Sequence, residues 1–159
     1  PALAARLEPR AAAPAHRRRA IRSRADAGGP GTVMVAPVIP GLTDHEMPAI
    51  LQAAAEAGAT AAGHVMLRLP HAVKEIFFQW LEEHEPGKKA RVAARLRALH
   101  GGKLYDPGWG RRMTGAGPFA EQTADLFRIC VRKFGLDRPP PAWSTAHFRR
   151  GGGAQLELW

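Results

Sequence analysis

Between residues 88 and 112 the chain sets Lys88, Lys89, Arg91, Arg95, Lys103, Arg111 and Arg112 around two aromatics, Tyr105 and Trp109, the latter pair on a glycine-rich stretch. Cations at that density neutralise phosphates, and aromatic rings on a pliant loop stack on bases or wedge between them. The pattern therefore points to nucleic acid, although a solvated basic helix followed by a packing loop would show the same residue types. Arg68 poses a different question. It stands between Leu67 and Leu69 in an apolar run, where an unpaired cation is costly, so it should meet a carboxylate or a substrate phosphate. Glu8 and Asp44 are the candidate partners for a purely structural pair. His64 shares the Arg68 side of that run and His71 follows it, both readable as satisfied polar residues. Asp44, His45 and Glu46 are consecutive, so they point apart on a helix and suit capping better than metal binding. Cys130 falls on an apolar stripe and reads as a buried thiol.

The elements that must hold these groups follow from periodicity. Residues 14–27 read as an Arg-rich helix with Pro14 in its first turn and Gly28 past its end. TVMVAPV, 32–38, is a short uncharged run, the habit of a parallel strand covered on both faces. Thr43 and Glu46 have capping-box spacing, and Met47, Ile50, Leu51 and Ala54 then form one helical face that Gly58 stops. AAGHVMLRL, 61–69, is a second strand in which Val65, Leu67 and Leu69 alternate with His64, Met66 and Arg68. Val73, Ile76, Phe77, Trp80 and Leu81 mark an amphipathic helix. Pro86 opens a basic one with Val92, Leu96 and Leu99 inward. A loop over 101–117 precedes a last helix striped by Phe119, Thr123, Leu126, Phe127, Cys130 and Phe134. The remainder is an extended tail, with polyproline character at 139–141 and a flexible joint at 151–153.

Composition bounds the possibilities. At 159 residues and 45% apolar, the chain has the size and core material of one ordinary domain. Its net charge of +9 is unevenly placed, with basic flanks around an acidic middle, which suggests an anionic partner or a coding bias towards Arg and Ala. No run reaches the ~18 apolar residues of a membrane span and no signal-peptide core opens the sequence. A single cysteine excludes an internal disulfide framework and fits a reducing, cytoplasmic setting. Two parallel strands joined by a helix make one βαβ unit. Such a pair cannot form a covered sheet alone, so either the tail adds a strand or the chain is cut from a larger α/β barrel.

LEPRA at 7–11, APVIPGLTD at 36–44, LRLP at 67–70, GRRMTGAGPFA at 110–120, FGL at 134–136 and the closing QLELW form an ordered series. Together they resemble the C-terminal half of radical S-adenosylmethionine proteins in the DNA-repair-photolyase-like branch, relatives of spore photoproduct lyase. The resemblance implies an α/β fold, the C-terminal part of a partial (β/α) barrel over residues 1–100. A loop and helix over 101–137 and the tail over 138–159 would follow. It implies S-adenosylmethionine and a [4Fe–4S] cluster in the whole protein, where reductive cleavage of the cofactor yields a 5′-deoxyadenosyl radical that abstracts hydrogen. Parallel barrels gather ligands at the carboxyl ends of their strands. The stiff turn after residue 36 would offer Ala36, Val38 and Ile39 as a shelf for an adenine ring, with Leu67 and Arg68 beside it. The family's C-x-x-x-C-x-x-C ligands are absent here, so this chain alone should not assemble the cluster. Gly31, His64 and Tyr105 depart from the family pattern, where a larger apolar residue, an aromatic and an Asn are more familiar. The alternative is a non-catalytic basic nucleic-acid-binding module or a decayed gene product. DNA and the missing N-terminal half of the barrel are the implied partners, and no membrane is.

Overall fold

The computed structural model describes residues 2–139, 141, 142, 144–146, 148 and 149. The expected joint at 151–153 and the QLELW close lie outside the described residues. The chain is mixed α/β. Helices α1 (Ala2–Leu7) and α2 (Pro14–Asp26) precede strand β1 (Thr32–Val38), helix α3 (Met47–Glu56) and strand β2 (Ala61–Met66). Helices α4 (Val73–His84), α5 (Pro86–Leu99) and α6 (Pro118–Phe134) follow. The short α1 has no counterpart in the sequence reading, and its Leu3 and Leu7 join the core beside α4.

β1 and β2 pair in parallel, Thr32 opposite Ala61 and Val35 opposite His64, with an irregularity between Val35 and Val38. The register fixes which side chains share a face. Val33, Val35, Ala62 and His64 turn towards α3 and α6, where Leu51, Ala54, Phe127 and Cys130 complete a core. Thr32, Met34 and Ala36 on the opposite face are exposed, Met34 to 58%. The expectation of a strand covered on both faces is thus corrected: among the described residues, helices cover one. His64 also lies on the helix-covered side, its ring 4.4 Å from that of Phe127, not on a polar face shared with Arg68. Burial holds its imidazole pKa below the usual value.

The two edges of the sheet differ. The outer edge of β2 is closed by the chain after α6, with Ala62 N–H donating to Leu136 O at 3.1 Å and Arg138 N–H to Thr60 O at 3.2 Å. Met66 N–H reaches Met113 O at 2.9 Å on the same edge. Asp137 bridges Ala61 in antiparallel fashion. No third strand pairs with β1 among the described residues.

β2 ends at Met66, and the next residues leave the sheet between two cores. Met66 belongs to the first, while Leu67 and Leu69 enter a second formed with Ile39, Phe77, Leu81 and Leu96. The predicted alternation is therefore inverted at His64 and Met66, which lie on the side of the first core, and it breaks beyond Met66, where Leu67 and Leu69 enter the second. Phe77 and Leu81 anchor α4, whereas Val73 and Ile76 are 48% and 65% exposed. Val92, Leu96 and Leu99 point inward from α5 as expected. Cys130 is buried as expected, while Phe119 and Leu126 stand 39% and 37% exposed. No helix among the described residues is long and apolar enough to cross a membrane.

Candidate anion site at the strand ends

Both strands run out at the same end of the sheet, and the chain that leaves β1 is held by its own side chains. Thr43 Oγ1 accepts the Ile39 N–H at 2.9 Å, and the Asp44 carboxylate accepts the Gly41 N–H at 2.9 Å. Thr43 and Glu46 form no capping box. The Thr43 oxygen turns back to Ile39, and a 3₁₀ turn over Asp44–Glu46 precedes α3. The elaborate exit of β1 thus serves a closed local turn. It also removes most of the expected adenine shelf, since Val38 and Ile39 are 2% and 1% exposed within the cores and only Ala36 is exposed.

Arg68 lies just past β2 and is half-buried. Neither proposed carboxylate partner reaches it. Glu8 pairs with Arg17 at 3.3 Å, and Asp44 pairs with Arg95 at 2.6 Å. The guanidinium instead donates to Tyr105 Oη at 3.5 Å and to Met113 Sδ at 3.6 Å, while its Nε is buried without a partner. Tyr105 and Met113 both come from the glycine-rich loop between α5 and α6, so that one loop positions the cation. The contacts are long for hydrogen bonds and supply no negative charge.

His100, at the end of α5, was not legible as a site residue because it precedes Gly101 and Gly102 and reads as a helix stop. It is 4% exposed, with both ring nitrogens unpartnered, and its ring sits edge-on to Tyr105 at 6.4 Å. Burial lowers its pKa, against the opposing pull of the Asp106 carboxylate and the Leu67 backbone. Asp106 is held below the usual carboxylate range, first by the Gly108 N–H and then, against burial, by Arg111, His100 and Lys103. A cleft of about 330 Å³ opens alongside, lined by Leu69, His71, Lys74, Lys103, Leu104 and Tyr105. His71 adopts a left-handed backbone, φ 46°, uncommon for a residue with a side chain. Arg68, Lys74 and Lys103 make this end of β2 cationic, with Asp106 as the nearby acid.

Part of the basic segment is paired within the chain. Lys88 pairs with Glu85 at 2.8 Å, Lys89 with Glu82, and Arg111 with Asp106 at 3.3 Å. Arg91 and Lys103 have no carboxylate within 4.0 Å among the described residues. Tyr105 is half-buried, its hydroxyl contacted by Arg68 and its ring edge-on to His100, and it lines the cleft beside β2. Trp109 differs: it is 86% exposed, with the Arg112 guanidinium 4.4 Å above its ring.

No family model, curated protein or solved structure matches this chain. The donor set does not suit an iron–sulfur cluster, since the lone Cys130 is buried in the α6 interface. No group of three His, Cys, Asp or Glu side chains is placed to hold a metal among the described residues.

Proposed function

We propose that this chain is the C-terminal wall of a radical S-adenosylmethionine enzyme of the DNA-repair-photolyase-like branch. The cluster would be held by a different stretch of polypeptide. The observation that carries the proposal is Arg68, a half-buried guanidinium at the carboxyl end of a parallel strand with no carboxylate partner among the described residues. Cations without counter-ions at this end of a parallel sheet suit an anionic ligand group. The uncovered face of β1 and its unpaired edge are what a wall facing a barrel interior would present. Arg68 would hold the cofactor's carboxylate, with Tyr105 and Met113 orienting it. Ala36 would line the adenosine side, and Val38, Ile39 and Leu67 would act from beneath as packing. When bound, S-adenosylmethionine supplies the 5′-deoxyadenosyl group used for hydrogen abstraction. No step is assigned to residues of this chain through the cluster, whose ligands it lacks.

The test is calorimetric titration of this chain with S-adenosylhomocysteine, whose carboxylate needs no iron to be recognised. Saturable binding weakened about tenfold by Arg68→Met is expected, the loss of one charge-assisted contact. Failure to saturate at millimolar ligand, or equal affinity in the variant, would count against the proposal.

A second reading, a basic nucleic-acid-binding module without catalysis, is favoured by one observation: exposed Trp109 under Arg112. Single-stranded oligonucleotide binding should then weaken linearly in a log–log salt titration and fall on Trp109→Ala. A response flat in salt sinks that reading.

A further inference from the structure

A larger cleft, about 450 Å³, opens between the β1 exit, α5 and α6. Its walls carry Gly41, Arg91, Arg95, Phe119, Gln122 and Leu126. The stems of Arg91 and Arg95 cross directly over Gly41, whose φ is +82°. A Cβ there would stand 3.2 Å from Arg91 Cγ and 3.3 Å from Arg95 Cδ. The two arginines are thereby brought side by side by a residue that has no side chain to separate them. The Arg95 guanidinium is held by two neighbours: it pairs with Asp44 at 2.6 Å and lies 5.2 Å from the Phe119 ring centre. Asp44 and His45 also line the cleft; the Asp44 carboxylate is already engaged by Gly41 N–H and Arg95, so it leaves Arg91 without a carboxylate partner among the described residues. Guanidinium groups are donors only, and the Gln122 amide adds further donors. The Thr123 hydroxyl spends its hydrogen on Phe119 O at 2.8 Å. Phe119 and Leu126, both partly exposed, give the opposite wall an apolar surface. The cleft therefore offers forked donors on one side and a ring and an aliphatic chain on the other, within the size range of small-ligand sites, roughly 300–1,000 Å³.

We infer that this cleft binds a phosphate monoester carried on a small, partly apolar body, with a nucleoside monophosphate as the representative ligand. Arg91 takes the phosphate in a forked contact, Arg95 is the pre-positioned second cation, and the Phe119–Leu126 wall receives the organic part. This site is separate from Arg68 and does not depend on the proposal made for it.

The test titrates the full chain with adenosine monophosphate, adenosine, inorganic phosphate and an oligonucleotide lacking a terminal phosphate. Circular dichroism establishes that each variant is folded. Saturable binding of the monophosphate is expected, at least tenfold tighter than adenosine or inorganic phosphate. Arg91→Ala should weaken it about tenfold, Gln122→Ala should weaken it less, Arg91→Lys should restore part of the loss, and Arg68→Met should leave it unchanged. Equal affinity in Arg91→Ala and the parent overturns the site. Inorganic phosphate binding as tightly overturns the role of the apolar wall, and the oligonucleotide binding as tightly overturns the monoester assignment.

Discussion

Replacing Arg68 with methionine separates a ligand-binding cation from a structural one. Among the described residues the guanidinium has a buried Nε with no partner, two contacts at 3.5 and 3.6 Å, and no carboxylate. An unsatisfied buried donor costs about 1–3 kcal/mol, and hydrogen bonds this long recover little of it. Methionine keeps much of the aliphatic length of the side chain and removes the charge. The variant should therefore be more stable than the parent by about 1 kcal/mol, at the low end of that range because the group is only half-buried. For a chain of this length that corresponds to a rise of about 2–4 °C in Tm. The assay is urea denaturation followed by circular dichroism, reading the midpoint at unchanged slope. A fall of 1 kcal/mol or more would refute the reasoning, because it would mean that the cation is retained for the fold. Stability gained together with anion affinity lost is the signature of a group kept for function.

Three further outcomes follow from the same structure. His100 and His64 both have lowered pKa values, so the unfolded chain binds more protons than the folded one as pH falls below about 6.5. Their contribution is complete above that pH and is lost as pH falls through the lower folded values. His100→Gln should flatten the pH dependence of the denaturation midpoint between pH 7 and 5, and an unchanged slope would contradict its burial as a neutral ring. Gly58→Ala should destabilise by about 1–3 kcal/mol and loosen α2, since the residue sits at φ +96° and a Cβ would come 2.5 Å from Ala25 Cβ; proteolysis within residues 14–27 would report the loosening. Leu81→Ala, at a position of 0% exposure, should cost about 2.7–5 kcal/mol, measured by the same denaturation assay.

The strong signals in the sequence were the local ones. The Val-rich run of β1, the inward face of Val92, Leu96 and Leu99, and the Gly58 stop after α3 each follow from a pattern within one element, and each is seen. The readings that failed depended on where a side chain goes after its element ends. Thr43 bonds back to Ile39 and forms no cap, and Leu67 leaves the strand for a second core. The closure of β2 by residues 136–138 rests on one bridge and two hydrogen bonds, too short for any periodicity to announce. At the site, Arg68 was conspicuous because charge in an apolar run is rare, but its lack of a partner depended on Glu8 and Asp44 choosing Arg17 and Arg95. His100 and the Arg91–Arg95 cleft depend on contacts across elements, which no single stretch encodes.

The central proposition is that these two strands form part of an S-adenosylmethionine-binding barrel completed by cluster-bearing polypeptide. It is tested most directly by expressing the complete reading frame that contains this sequence, reconstituting it with iron and sulfide without oxygen, and assaying reductive release of 5′-deoxyadenosine. The expected result is a C-x-x-x-C-x-x-C motif encoded upstream, a bound [4Fe–4S] cluster, and 5′-deoxyadenosine formation that falls on Arg68→Met. A reading frame without that motif, whose product neither holds iron nor cleaves the cofactor, would contradict it.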